Sequence, residues 1–481
     1  CLAKWLCVRA HEVGAASVLH AFHGSIPGPA DGVGSMLSRH FRCQGLDRAQ
    51  TLSRLAPLLR PLGIVHPDDW LGLTEVIAPA ADSRQTAGGG VIRFERAAER
   101  HHLVHRFLSR RASERTTIVW LDDVQWGLDA LALALQVMRN RTSAPARVLF
   151  VATIRDEALA ERPQEAALVE EARGLSGVTT ISVGPLDAQD RQDLLRRLLG
   201  LEDALAARVE ARTAGNPLFA VQIVGEWVQR GLLQHTELGF RLRPGVTVEL
   251  PDDLHEVWTL RIDRVVAGRS QDDEPALELA AVLGEDVDAA EWRVVCERAG
   301  RTPSPALIET LLELKLARAH ERGPSYGWSF VHGMLRESLE RRAREAGRFA
   351  EHNRICAQVI GERGGPLSEE RMGWHCLAAG ELDEAVRLLT RAAKRRSDFG
   401  DFREARMLLA RREEALDRLG AGDDEPRRAQ GWLLWGQCYR DDGRLEEADG
   451  WARKAVTAGK ALGLEPVVGE ALLVRENVAR Y

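Results

Sequence analysis

The stretch "TTIVWLDDVQWGLDALALAL" (116–135) sets two carboxylates, Asp122 and Asp123, directly after a run of β-branched and bulky residues. A short apolar run without alternation predicts a strand buried on both faces, as in a parallel sheet. Leu128 onward has the pattern of a helix. In open α/β sheets ligands bind at the carboxyl ends of the strands. Asp122 would there hold Mg²⁺, usually through water, because the ion prefers oxygen ligands and keeps several waters. Asp123 would polarise an attacking water. The same two acids also suit the start of the following helix as caps, and the residues alone leave both readings open. Working outward, "ASVLHAF" (16–22), "ARVLFVAT" (146–153) and "VTTISV" (178–183) have the same buried-strand character. Helical patterns between them predict βαβ units on a parallel sheet.

The chain has 481 residues, too many for one ordinary domain, and three or four are expected. With 45% hydrophobic and 28% charged residues it is soluble and able to bury large cores. No apolar run is long enough to span a membrane, and charges run through the first residues, which excludes a signal peptide. The net charge of −6 gives no case for nucleic-acid binding. The seven cysteines form no CxxC pair, which argues against a zinc site or disulfide framework and for the reducing cytoplasm. Lysine occurs only at positions 4, 315, 394, 454 and 460, an arginine bias typical of GC-rich bacterial genomes. The chain opens on Cys1 and stops in the helical pattern "LLVRENVARY", so both ends are read as lying inside something longer.

Beyond residue 187 the pattern is helical, broken at "AGNPLF" (214–219) and followed by "LGFRLRPGVTVELP" (238–251), a short strand pair or extended linker. Several helices follow, with a hairpin expected within "KLARAHERGPSYGWSFVH" (315–332). From about 347 almost everything is helical. "AGELDEA" (379–385), "FGDFREA" (399–405) and "DGRLEEA" (442–448) each mark a tight turn into an amphipathic helix. A small residue at one helical position lets neighbouring helices approach closely. This resembles the tetratricopeptide repeat, with irregular spacing; an unspecialised helical bundle is the alternative.

"LDDVQW" (121–126) resembles the signature of the STAND class, the bacterial AAA-type signal-transduction ATPases with numerous domains. The family's next Asp comes two residues earlier than in this chain, which has Gly127, Leu128 and Asp129. "VLFVATIRDEAL" (148–159) looks like the family's fourth strand and sensor segment. The resemblance assigns Arg155 as the γ-phosphate sensor, with Thr153 second. "AGNPLF" matches the GNP lid motif, in which Pro217 would press on the adenine and Gly215 permits the close turn. Asn216 as a cap with Pro217 in the first helical turn accounts for the same residues structurally. "LPDDLHEVWTLRIDRV" (250–265) and "ALELAAVLGEDVDAAEW" (276–292) look like the winged helix that follows. In "SFVHGMLRESL" (329–339), His332 stands where the class places a histidine that reaches the ADP β-phosphate. Gly333 replaces the aspartate that completes that motif.

The resemblance implies a P-loop NTPase-type α/β core (1–186), a helical lid and linker (187–250), a winged helix (251–346) and a tetratricopeptide-like solenoid (347–481). It implies ATP or ADP with Mg²⁺ as cofactors, a protein or small-molecule signal read by the repeats, and possible self-association on activation. The output, a serine/threonine kinase, cyclase or DNA-binding domain, would lie outside these residues. The alternative is a non-hydrolysing interaction scaffold.

The phosphate-binding motif G-x-x-x-x-G-K-[ST] is absent. "DGVGS" (31–35) and "AGGGVIRF" (87–94) read as flexible connectors, the latter without lysine. "CLAKWLCVRAHEVGA" (1–15) resembles the helix after the phosphate loop, with Lys4 one turn too late to be the phosphate lysine. ATP hydrolysis is therefore expected of an intact protein and not of these residues alone. In AAA-type sheets the strand entering the phosphate loop lies between the fourth and fifth strands, so 146–153 and 178–183 are expected either to leave a vacancy between them or to collapse together. "SDFGD" (397–401), kinase-like in its Asp-Phe-Gly, reads as a turn within the repeats. His101 and His105 are spaced i,i+4 but lack a third ligand for zinc. "RRAREAGR" (341–348) reads as a solvated helix face.

Overall fold

The structure, a computed structural model, describes residues 2–24, 31–80, 92, 94–113, 115–140, 146–246, 248, 250–251, 253–320, 327–365 and 368–480. The chain divides into two compact units, residues 1–178 with 353–481, and residues 179–352.

The first unit begins with α1 (Leu2–Glu12), β1 (Ala16–Ala21), α2 (Gly32–Phe41), α3 (Arg48–Leu59), α4 (Pro67–Ile77) and α5 (Ala97–Ala112). Then come β2 (Thr116–Leu121), α6 (Leu128–Arg139), β3 (Val148–Ala152), α7 (Asp156–Leu159) and α8 (Pro163–Arg173). Three of the four expected strands form. They make a parallel sheet in the order β1-β2-β3, with Val18 beside Ile118 and Val119 beside Phe150. Central β2 is the most buried, and its Val119 and Leu121 are fully buried among Leu19, Phe107 and Leu133. This placement brings Asp122 and Asp123 to the carboxyl edge of the sheet.

The fourth expected strand does not form. Residues 178–183 have no strand structure, and Ile181 and Val183 are 77% and 71% exposed. Strand propensity is realised only against a partner ladder, and these β-branched residues have none. Neither the vacancy nor the collapse expected between two strands here is seen, because 178–183 forms no strand to flank it. "DGVGS" is a second correction: it opens a helix instead of forming a connector. Asp31 stands at the N-cap of α2, and a Cβ on Gly34 would lie 2.5 Å from the Val76 carbonyl oxygen. Most of "AGGGVIRF" lies outside the described residues.

The second unit contains α9 (Ala188–Gln192), α10 (Asp203–Thr213), α11 (Pro217–Gln229), β4 (Leu233–Thr236), β5 (Gly239–Leu242), α12 (Leu254–Val266) and α13 (Asp273–Leu283). It continues with β6 (Asp286–Asp288), α14 (Ala289–Arg298), α15 (Leu307–Glu313), β7 (Ala317–Ala319), β8 (Gly327–Phe330) and α16 (Gly333–Glu345). β4 and β5 form a hairpin over part of the segment read as a strand pair or linker. β7 and β8 form the other expected hairpin, with residues 321–326 outside the described ones, and β6 joins them in the order β6-β8-β7.

"RRAREAGR" is not simply solvated. Arg342 bonds Glu274 and Asp263, and Arg348 makes a two-pronged bond to Glu278 at 2.8 and 2.6 Å. Glu278 is fully buried and also meets His352 at 2.9 Å. A buried carboxylate is tolerable only when its oxygens are satisfied in this way.

The rest of the chain is helical: α17 (Phe349–Arg363), α18 (Ser368–Ala379), α19 (Leu382–Asp398), α20 (Phe402–Arg418), α21 (Pro426–Asp441), α22 (Leu445–Ala461) and α23 (Glu465–Ala479). The three repeated turns are where they were expected, opening α19, α20 and α22. Their alanines, Ala385, Ala405 and Ala448, are completely buried, so small side chains do permit close helix approach. "SDFGD" is indeed a turn, between α19 and α20. Among the described residues no helix is long and apolar enough to cross a membrane.

Candidate functional site

At the carboxyl edge of the sheet, the ends of β2 and β3 are stitched together by Thr153. Its hydroxyl donates to Asp122 Oδ1 at 2.5 Å and accepts from the Asp123 backbone N–H at 3.0 Å. Its carbonyl accepts from the Val124 N–H at 3.0 Å. Asp123 consequently turns into the left-handed region, φ 53° and ψ 49°, uncommon for any residue but glycine and easiest for Asn and Asp. Such a conformation persists only where surrounding bonds impose it, and it is typical of functional sites.

Gln125, fully buried, completes the clasp. Its amide donates to Asp123 Oδ1 at 3.1 Å, and its carbonyl accepts from the Arg155 N–H at 3.2 Å. The Arg155 guanidinium lies 3.6 Å from Asp123 Oδ1 and 4.5 Å from the Trp126 ring centroid. Both charged side chains are more than a third exposed, so water screens this pair and it contributes little stability.

Asp122, Asp123, Thr153 and Arg155 thus lie together at this edge. Gly215, Asn216, Pro217 and His332 belong to the second unit. There Asn216 caps α11 through a 3.1 Å bond from the Phe219 N–H, and Pro217 occupies the first helical turn, the structural alternative raised from sequence. Gly215 has φ +82°, and a Cβ there would meet the Leu186 carbonyl oxygen at 2.9 Å. His332 stands at the N-cap of α16, with its ring 5.4 Å from that of Trp258.

Two histidines at the end of β1 were not anticipated. His20 stacks on Trp120 at 3.7 Å with its Nε2 3.7 Å from Asp122 Oδ2, and His23 Nδ1 lies 2.7 Å from the Asp122 carbonyl oxygen. Parallel register puts His20 beside Trp120, so the pairing was deducible once the two strands were known to be neighbours. Burial works to raise the Asp122 carboxyl, but His20 and the Thr153 hydroxyl outweigh it and hold the group below the usual carboxylate range. Burial lowers His23, so it favours the neutral ring. A Cβ at Gly127 would lie 2.6 Å from the His23 ring, which accounts for glycine at that position.

Chemically, an ionised Asp122 beside a second carboxylate suits a hard divalent cation bound partly through water. The residues present fit that ion. A lysine and a glycine-rich run of backbone donors for a triphosphate do not occur in motif form.

Compared with protein-family models and with curated proteins, the chain shows no match. Among solved structures it is similar to the crystal structure of a signal transduction ATPase with numerous domains, carrying a tetratricopeptide repeat sensor, from Pyrococcus horikoshii. The identity is 13% and the TM-score 0.38, with 98% of this chain and 66% of that one covered. The chain therefore spans slightly less than two thirds of that protein's length.

Proposed function

We propose that the chain forms the greater part of a nucleotide-controlled signalling switch of the STAND type, in which a helical repeat array reads a protein or small-molecule signal. The observation that carries the reading is the Thr153 clasp, which holds two carboxylates at the sheet edge and bends one into a strained conformation. Mg²⁺, when bound, would neutralise phosphate charge. Asp122 would orient that ion through water, and its lowered pKa favours the ionised form the role requires. Asp123, released from Gln125 and Arg155, would accept a proton from an attacking water. Arg155 would swing from Trp126 toward the terminal phosphate. Pro217 and His332 would contact the adenine and the β-phosphate, with residues 187–250 as the lid and 251–346 as a winged helix. Nucleotide can drive the switch only by binding two arrangements with different affinity.

The proposal requires a phosphate-gripping loop from residues outside these 481, since their sequence contains none. That same absence favours the second reading, a scaffold that never hydrolyses nucleotide. Calorimetric titration with Mg-ATP and Mg-ADP separates the two, using protein that includes whatever its gene encodes before Cys1. The switch predicts micromolar binding, with Asp122→Asn weakening the Mg²⁺-dependent part while the fold survives. No binding, or binding and turnover indifferent to Asp122→Asn, refutes it. The 481-residue chain alone is expected not to bind at micromolar concentration.

A further inference from the structure

Of the three repeated turns in the helical array, one does something the others do not. Gly380, Gly400 and Gly443 have φ of +79°, +75° and +79°, but a Cβ added at Gly380 or Gly443 would meet nothing within 4 Å. At Gly400 it would lie 2.6 Å from the Glu95 carbonyl oxygen and 2.7 Å from Arg96 Cα. The Gly400 carbonyl accepts a 3.0 Å bond from the Ala97 N–H at the start of α5. The Asp-Phe-Gly turn is therefore a place where the array docks on the α/β core.

Around this contact lies a buried charge cluster. Arg100 on α5 bridges Asp129 on α6, at 2.6 Å, and Asp401, which follows Gly400. His101 Nε2 meets the same Asp129 oxygen at 2.6 Å. From α19, Arg396 bonds Asp401 at 3.2 Å and Glu370 of α18 at 2.8 Å. Glu404, in the first turn of α20 and 9% exposed, completes the cluster, with carboxylate oxygens of Asp129, Asp401 and Glu404 within 4.8 Å of one another. Four carboxyl groups thus face two guanidiniums and one imidazole. Arg100 already stands between Asp129 and Asp401, where a cation would have to sit, so the cluster is better matched to a proton than to a metal ion.

We infer that the Gly400 turn is a proton-dependent latch: the array stays docked on the core while Glu404 is protonated, and its ionisation loosens the contact. Two arginines cannot neutralise four carboxylates, three of them buried and Asp129 partly so. They spend their hydrogen bonds on Asp129, Asp401 and Glu370, which leaves Glu404 against two negative neighbours. An uncompensated buried carboxylate is costly, and the group takes up a proton instead. Burial raises Glu404 first and the charges of Asp129 and Asp401 raise it further, with Arg396 and Arg100 opposing, to about 8. Asp129 moves the other way. Burial opposes its ionisation, but Arg100 and His101 prevail and hold it well below the usual carboxylate range. Asp129 therefore remains ionised throughout the neutral range and keeps its pressure on Glu404.

The sign follows from linkage. The docked state binds a proton at Glu404 that the undocked state, with a carboxyl near its ordinary 4.5, releases. Docking is thus strongest on the acid side of neutrality and weakens as pH rises towards 8. Opening should be roughly ten- to fiftyfold easier at pH 8 than at pH 6. None of this depends on nucleotide binding, so the latch can stand or fall apart from the proposed function.

The test is hydrogen–deuterium exchange on the full chain, reading the Ala97 amide as a protection factor corrected for the intrinsic pH dependence of exchange. Protection in the unsubstituted protein should fall at least about tenfold from pH 6 to pH 8. Glu404→Gln, which resembles the protonated carboxyl, should hold the pH 6 protection at pH 8. Glu404→Met provides a second uncharged variant should glutamine not be accommodated. A fall of the same size in these variants, or no fall in the unsubstituted protein, overturns the inference.

Discussion

Replacing Gly400 by alanine tests the docking contact with two built-in controls. Any of the three turn glycines pays the left-handed penalty when substituted, about 1 kcal/mol. Gly380→Ala and Gly443→Ala should show that cost and no other, because their Cβ positions are open. At Gly400 the new Cβ would sit 2.6 Å from a backbone oxygen, about 0.4 Å inside the closest approach that real Cβ atoms make. Both clashing residues are held by backbone, so no side chain can swing aside. Overpacking of this kind costs ~1–3 kcal/mol, and losing the bond from the Ala97 N–H to the Gly400 carbonyl adds ~1 kcal/mol. The turn should therefore separate locally from α5, with an excess over the controls of roughly 2–4 kcal/mol. In exchange measurements this is a loss of Ala97 protection of about thirtyfold or more, with the amides inside α19 and α20 retaining theirs. An effect on Ala97 no larger than that of Gly380→Ala or Gly443→Ala would show that the turn is not a docking point.

In the second unit, Arg348→Ala should cost about 3–5 kcal/mol, because it strips two bonds from a carboxylate with no exposure; exchange in α13 and α16 reads it, and a change below ~1 kcal/mol would sink the account. Burial tends to raise Glu278, but bonds from Arg348 and His352 outweigh it and depress its pKa; the stability so gained is present above the ordinary 4.5 and is lost as pH falls below it. Protection in α13 and α16 should accordingly drop in acid, and Glu278→Gln, already weakened, should show a flatter acid limb.

The sheet and the site were legible in sequence to different depths. Ile118–Leu121 is uninterrupted by polar residues because both faces of the strand are covered, and its composition predicts a buried strand. "VTTISV" has equally good composition and yet forms no strand, since no partner ladder receives it and composition does not encode the neighbour. Asp122 and Asp123 were readable from their place at a strand end. The clasp that bends Asp123 was not, because it needs Thr153, thirty residues away, at hydrogen-bonding distance. Asp129 looked like a displaced motif residue. Its partners, Arg100, His101 and, through Arg100, Asp401, come from two other segments of the chain, α5 and the turn before α20. The Asp-Phe-Gly turn was correctly read as a turn, but what sets it apart from its two siblings is Glu95 and Arg96, some three hundred residues earlier in sequence.

One helix connects the two features. α6 begins at Leu128, two residues after Trp126, on which Arg155 rests, and it carries Asp129 of the latch in its first turn. A rigid element contacting both sites is a physical candidate for coupling, but spatial intermediacy alone does not demonstrate it. A double-mutant cycle does. Thr153→Val removes the hydroxyl of the clasp, and Gly400→Ala disrupts the latch; the two residues share no partner. If α6 shifts as a unit when the array undocks, loosening either end should change the cost of loosening the other. The two effects on protection of the α6 amides should then depart from additivity by more than ~0.5 kcal/mol, the scatter of independent sites. Additivity within that margin would mean that the array docks beside the carboxylate pair without influencing it, and the signal would have to travel by another part of the molecule.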